Sequence, residues 1–149
     1  VLASRRVEAR VTTEAAEFPV LVGVDLVRVS ETQRSLDHFG ERFLRRVFTE
    51  AELADCNQSR AGARVERLAA RIAAKEAAIK VLRPARRWLD PRSIEVCRQA
   101  EGWPALALHG EARGLAEVSG LAGFSLSLSH EGDYATAVVV AVRRSESRS

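Results

Sequence analysis

Cysteine is scarce, with only Cys56 and Cys97 in 149 residues. The two stand far apart and lack metal-ligand spacing, which argues against a metal site or a structural disulfide and for free thiols in a reducing, cytoplasmic compartment. Aromatic residues are only 5% of the chain, so the core must be built from Ala, Val, Leu and Ile. No apolar run approaches the roughly 18 residues of a membrane span. The longest, Tyr134 to Val142, is a buried strand by length, and an integral membrane protein is not expected. A secretory signal is missing as well: residues 1–17 carry Arg5, Arg6, Arg10, Glu8, Glu14 and Glu17 and no apolar stretch. There is no internal repeat. The chain begins with Val1 rather than Met, so further residues can precede it.

What is present fits a single globular domain. Hydrophobic residues are 46% and charged residues 29%, against wholesale disorder. A net charge of +3 and a pI near 9.4 suit an acidic partner or a phosphate-bearing ligand. The chain lacks the interleaved aromatics, glycine loops and concentrated basic helix of a nucleic-acid-binding domain, so that reading ranks low.

Patterning divides the chain into a helical first half and a stranded second half. Val20 to Val27 is a Val-rich run that reads as a strand buried on both faces, with one carboxylate, Asp25, two residues after Gly23. Ser30-Glu31-Thr32-Gln33 has a capping-box pattern that predicts a helix ending at Gly40. A short helix is expected over Arg42 to Val47, and Thr49-Glu50-Ala51-Glu52 opens another. Residues 57–63 read as a loop before the longest helix, Val65 to Leu82, which is rich in alanine and stopped by Pro84. Ser93 to Arg98 and Pro104 to His109 read as a hairpin. Glu111 to Ser119 reads as a helix, Phe124 to Ser129 as a strictly alternating strand, and Tyr134 to Val142 as the last strand. The fold class is α+β, an antiparallel sheet packed with one long and several short helices. The expected boundaries are an extension over 1–17, a domain over 18–143 and a polar tail over 144–149.

Three places carry candidate chemistry. On the long helix, Glu76 and Lys80 share a face, with Arg71 and Lys75 nearby. The plain reading is a solvated ion pair. The surrounding alanines do not make a typical solvated face, however, and the pair could hold a metal and a phosphate. Asp25 is costly to bury unless paired or metal-bound, although it could instead lie at the strand's solvent edge. Ser127-Leu128-Ser129-His130 sets a histidine beside a turn, where hydroxyl and imidazole donors could hold a phosphate.

Taken in order, Gly23-Val24-Asp25, then Arg42 to Leu53, then Arg71 to Lys80, then Ser127 to His130 with its Ala/Val strand, the sequence resembles the holo-acyl-carrier-protein synthases. These are the short, single-module phosphopantetheinyl transferases, and the resemblance covers about Val20 to Val142. It implies a phosphopantetheinyl transferase-like fold. It also implies transfer of the phosphopantetheine arm of coenzyme A to a serine of an apo acyl carrier protein, with release of adenosine bisphosphate. Magnesium would be held by Asp25 and Glu76. Glu76 and Lys80 would be the catalytic pair. Arg71, Lys75, Lys80, Ser129 and His130 would bind coenzyme A. Arg28, Arg34, Arg42, Arg45 and Arg46 would meet an acidic face of the carrier. The assembly implied is a homotrimer with active sites between subunits, one supplying Asp25, Glu76 and Lys80 and the next His130.

The sequence departs from the family pattern in three places. Glu31 stands where the family usually has an arginine. The family's Gly-Lys-Pro turn reads Gly102-Trp103-Pro104. The glycine-rich loop after the long helix is replaced by Arg83-Pro84-Ala85-Arg86-Arg87. The alternative reading is a non-catalytic carrier-binding module with the same fold.

Overall fold

The computed structural model describes residues 19–144, so the expected 1–17 extension and all of the polar tail but Arg144 lie outside the described residues. The elements run β1 (Val20–Arg28), α1 (Val29–Phe39), α2 (Glu41–Val47), α3 (Glu50–Asn57) and α4 (Ala61–Leu82). A 3-10 turn (Pro91–Ser93), β2 (Ile94–Arg98), β3 (Pro104–Leu108), α5 (Gly110–Val118), β4 (Leu121–Glu131) and β5 (Tyr134–Arg143) follow. The main sheet is antiparallel in the order β1-β5-β4, and β2 and β3 form a separate antiparallel pair. The expected α+β architecture is therefore observed.

Side-chain alternation decides what each face of the main sheet does. Leu21 on β1 and Ala135, Ala137, Val139 and Ala141 on β5 are buried against α4, whose Ala73, Ala74, Ala77 and Ala78 are fully enclosed. Small residues on both sides let strand and helix backbones come close. Gly23 sets the limit of that approach: a Cβ built there would lie 2.1 Å from the carbonyl oxygen of Ala77. A methyl group cannot occupy that space, so Gly23→Ala must push β1 off α4. The expected loss is about 1–3 kcal/mol or more, typical of an overpacked core, and would register as a lower Tm in thermal unfolding.

The opposite face of the sheet is uncovered and apolar. Val22 is 63% exposed and Leu26 62%, and Val20, Val24, Val138 and Val142 lie open beside them.

Local signals located most elements, with three differences. The helix expected to start from a Ser30/Gln33 capping box begins at Val29 and has no side-chain cap of its own. Its N-terminus is held instead by Asp133 of the β4–β5 turn, which accepts from the Ser30 backbone N–H at 2.8 Å and the Ser30 hydroxyl at 2.6 Å. These bonds hold the Asp133 carboxyl below its usual range. The second difference is that α4 begins at Ala61, so much of the expected 57–63 loop is helix. The third is that β4 begins three residues early, at Leu121, with a register irregularity between Leu121 and Gly123. The Thr49/Glu52 capping box is formed as expected. Cys56 and Cys97 are free. Among the described residues no helix is long and apolar enough to cross a membrane.

Candidate active site

The second half of α4 is almost wholly buried. Between Ala73 and Leu82 only Glu76 and Lys80 are exposed, with Ile79 half-buried between them. This narrow open stripe borders β1. There the Lys80 ammonium donates to Asp25 Oδ1 at 2.9 Å and to the Val24 carbonyl at 2.7 Å. Asp25 is thus neither a buried orphan nor a turn cap, but the partner of a helix lysine. Burial raises the Glu76 carboxyl above its ordinary range, and the negative charge of Asp25 raises it further, against the opposing pull of Lys80. Two carboxylates close enough for one to feel the other's charge, with an ammonium beside them, make a place for a cation and for phosphate oxygens.

That donor set fits magnesium by its chemistry. Both side chains offer hard oxygen, and among the described residues no cluster of three His, Cys, Asp or Glu completes a cage. A cation that keeps several waters and takes ligands from a substrate suits a two-carboxylate site, whereas a structural zinc would need more protein ligands.

Lys75 does not belong to this site. It was expected to bind coenzyme A, but it is 1% exposed and points into the core. Its ammonium donates to Glu52 Oε2 at 2.8 Å and to the carbonyls of Pro91 and Ile94. Glu52 accepts in turn from the backbone N–H groups of Thr49 and Val96, each at 2.9 Å. Helical geometry explains the correction: adjacent residues lie about 100° apart around the axis, so neighbours face different ways. Burial lowers the Lys75 ammonium from its usual range, opposed by Glu52. The sequence marked Glu52 only as a capping residue. No local signal showed that the same carboxylate serves a buried ion pair 23 residues away.

A second polar region lies toward the other end of α4. Arg71, Ser129 and His130 line one cleft of about 300 Å³, together with Glu66, Arg67 and Arg98. The His130 Nδ1 stands 3.7 Å from Glu66. Arg71 is almost fully buried and paired with Asp55, and its Nε is enclosed without a hydrogen-bond partner. The helix side of the cleft runs from Glu66 to Arg71, ten to five residues before Glu76, so the cleft stands about 7–15 Å along the axis from the carboxylate pair.

The five arginines expected to meet a partner are all exposed. Arg42, Arg45 and Arg46 wall a cleft floored by Phe39 and Phe43, and Arg92 of the 3-10 turn joins them. Nothing local to Arg92 in the sequence linked it to this group. Arg28 lies apart, over the Tyr134 ring, and Arg34 is beside Glu31 at 4.0 Å.

Past Lys80 the chain takes an uncommon path. Arg83, the C-cap of α4, and Ala85 both have left-handed backbones, with φ of 50° and 58°. Each costs about 1–2 kcal/mol relative to glycine's freedom there. Glycine would occupy both positions without that cost.

An α+β frame thus brings a strand aspartate to a helix Glu-x-x-x-Lys, with a separate basic cleft, an arrangement suited to a cation and to phosphate groups. Residues 21–139 match the family model of the 4'-phosphopantetheinyl transferase superfamily. The chain is 41% identical over 128 residues to the holo-(acyl-carrier-protein) synthase of Herpetosiphon aurantiacus, covering 81% of this chain and 97% of that one. It is 43% identical over 122 residues to the synthase of Koribacter versatilis, covering 79% and 94%. Among solved structures it resembles an ACPS–CoA complex from Chronobacterium ammoniagenes, with a TM-score of 0.74 and 34% identity over 85% of this chain and 98% of that one. The chain belongs to the 4'-phosphopantetheinyl transferase superfamily.

Proposed function

We infer that this protein transfers the phosphopantetheine arm of coenzyme A to a serine hydroxyl of an apo acyl carrier protein. The observation that carries the reading is the meeting of Asp25, Glu76 and Lys80 on the open stripe of the second half of α4. A non-catalytic module would have no use for a carboxylate held above its normal range beside a second one. The synthase names of the relatives favour the enzyme as well.

In the reaction, the serine oxygen forms a bond to the pyrophosphate phosphorus nearer the pantetheine. The bond from that phosphorus to the bridging oxygen breaks, and adenosine bisphosphate leaves. Glu76 takes the hydroxyl proton, and its raised affinity for protons suits it to that task. Lys80, anchored on Asp25, presents its ammonium to phosphate oxygens and to the leaving group. Asp25 and Glu76 would hold magnesium, which when bound supplies neutralisation of the pyrophosphate charge. The cleft of Arg71, Ser129 and His130 takes the nucleotide end of coenzyme A, where the exposed His130 ring and the basic lining face a phosphate. Residues 18–143 form the catalytic unit, and its free thiols suit the cytoplasm.

The test is intact-mass measurement of apo carriers incubated with the protein, coenzyme A and magnesium. A phosphopantetheine-sized gain that requires both additions is expected, and no gain on any carrier would refute the reading. In the same assay, reversing Arg42 and Arg45 to Glu should raise KM for the carrier more than for coenzyme A, because such contacts steer an acidic partner. Equal effects on both substrates would remove the arginines from the carrier face.

The active form is a ring of three, supported by the open apolar face of β1 and β5. Within one chain His130 lines the cleft of Glu66 and Arg71, outside the group of Asp25, Glu76 and Lys80. A neighbour's His130 would complete each site. Glu76→Ala and His130→Ala proteins, each weak alone, should recover part of the activity when mixed and allowed to exchange subunits. No recovery despite proven exchange would show that each chain works alone.

A further inference from the structure

We propose that Asp55 is a positioning residue of the coenzyme A cleft, holding Arg98 in place for a phosphate by tethering it to the buried Arg71. The inference rests on the transferase reading above and deepens its nucleotide site. Three arginines line that cleft, Arg67 and Arg71 from α4 and Arg98 from β2. All three bond to one residue outside the lining. The Asp55 carboxylate pairs with the Arg71 guanidinium, and the Arg98 Nε lies 3.3 Å from its Oδ1 and 3.4 Å from its Oδ2. The Asp55 carbonyl accepts from Arg67 Nη1 at 3.4 Å. Asp55 belongs to α3, which gives the cleft no residue of its own.

The two partners of the carboxylate have different uses. The Arg71 side chain is 4% exposed, so its guanidinium faces the interior and fixes Asp55 there. The Arg98 side chain is 48% exposed. Asp55 engages it at Nε, which leaves the terminal nitrogens out of that bond. A planar guanidinium fork suits phosphate oxygens. An untethered arginine samples many rotamers, and a tether on its stem removes that cost before a ligand arrives. Three like charges around one cleft also repel, and a carboxylate between two of them offsets the repulsion. The other acid of the lining, Glu66, stands 3.7 Å from His130. Three guanidiniums against two carboxylates leave the cleft positive.

Two rival roles exist for Asp55: a counter-ion that only stabilises buried Arg71, and a charge that only dilutes the basic lining. Calorimetric titration with coenzyme A, and with adenosine bisphosphate as the nucleotide end alone, reads binding apart from transfer. Asp55→Asn keeps the side chain's shape but loses its charge and one of its two acceptors. It should bind both ligands about tenfold more weakly, the worth of one charge-assisted contact. KM for the carrier should stay as it was. Arg98→Ala, a change at a half-exposed side chain, should fold as the parent does and lose a similar factor. In that background Asp55→Asn should cost less than a further twofold, because the arm it placed is gone. Should Asp55→Asn fail to fold, Asp55→Glu, which moves the carboxylate one carbon outward, takes its place in the same cycle. A lowered Tm with both Kd values within twofold of the parent would leave Asp55 a stabilising counter-ion. Tighter binding in Asp55→Asn would make it a diluting charge. Full additivity in the double variant would show that it acts without Arg98. Each of these results overturns the proposal. A parent that binds coenzyme A but modifies no carrier would refute the transferase reading and leave this binding comparison intact, whereas a parent that binds neither ligand would refute both.

Discussion

Glu76→Ala will lose at least about 10³-fold in transfer while folding as the parent does, since the residue combines a cation ligand with the proton acceptor. Asp25→Ala should fall by a similar factor, for it both offers the other carboxylate and anchors Lys80. The stability of a Glu76 variant should move the other way. The Glu76 carboxyl titrates above its unfolded range, chiefly through burial and then through Asp25. The folded state then binds more protons than the unfolded state across the interval between the two pKa values. Stability falls as pH rises through that interval. Glu76→Gln should therefore unfold at a higher temperature than the parent at neutral pH, with the gain vanishing below the unfolded pKa. A parent and variant with equal Tm at neutral pH would show that the site carries no such strain.

The second large effect concerns Lys75, which touches no substrate. Its ammonium and the Glu52 carboxylate are sealed in the core, and the bonds of the pair tie α4 and α3 to the 3-10 turn and to β2. Lys75→Ala leaves Glu52 charged without its counter-ion, and it leaves the Pro91 and Ile94 carbonyls short of a donor. Breaking a buried pair from one side costs about 3–5 kcal/mol. For a domain of this size that is about 10 °C or more in Tm. A change of less than about 1 kcal/mol, measured by urea unfolding, would mean that water reaches the pair. A direct phosphate ligand would behave differently, with a raised KM for coenzyme A and an unchanged Tm. The measurement therefore checks the burial of Lys75 as well as its energetics.

The contrast between Lys75 and Glu76 shows where the sequence was informative. Glu76 and Lys80 were legible because helical spacing alone puts residues four apart on one face. Asp25 was legible because a lone carboxylate in a valine strand demands a partner, though only the fold supplied Lys80. Lys75 misled because its motif neighbours are functional, and because a buried lysine is rare enough that charge suggests solvent. Its partner, Glu52, already had a complete local role in its capping box, so nothing in the sequence called for a second. The cap of α1 was hidden for a related reason. Ser30 and Gln33 satisfy the local pattern, yet Asp133, 103 residues away, takes the position. Elements whose signals are local were found, whereas bonds that depend on which turn meets which helix were not. The same holds for Arg92, brought to the arginine cleft by the 3-10 turn.

The place of β5 also governs how this chain must fold. It is the middle strand of the main sheet, and its register ties Val20 to Val142 at opposite ends of the domain. As the chain leaves the ribosome, β1 emerges first and stays without a hydrogen-bonding neighbour until the last strand is made. The alanine face of α4 likewise waits for its cover. Pairing over so long a loop is slow, because closure entropy is spent before the contacts form. Through that interval the valines of β1 are open on both faces and both edges, the condition in which nascent strands misassociate. A truncation that ends before Tyr134 would remove the sheet's centre rather than its margin, leaving β1 and β4 with nothing between them.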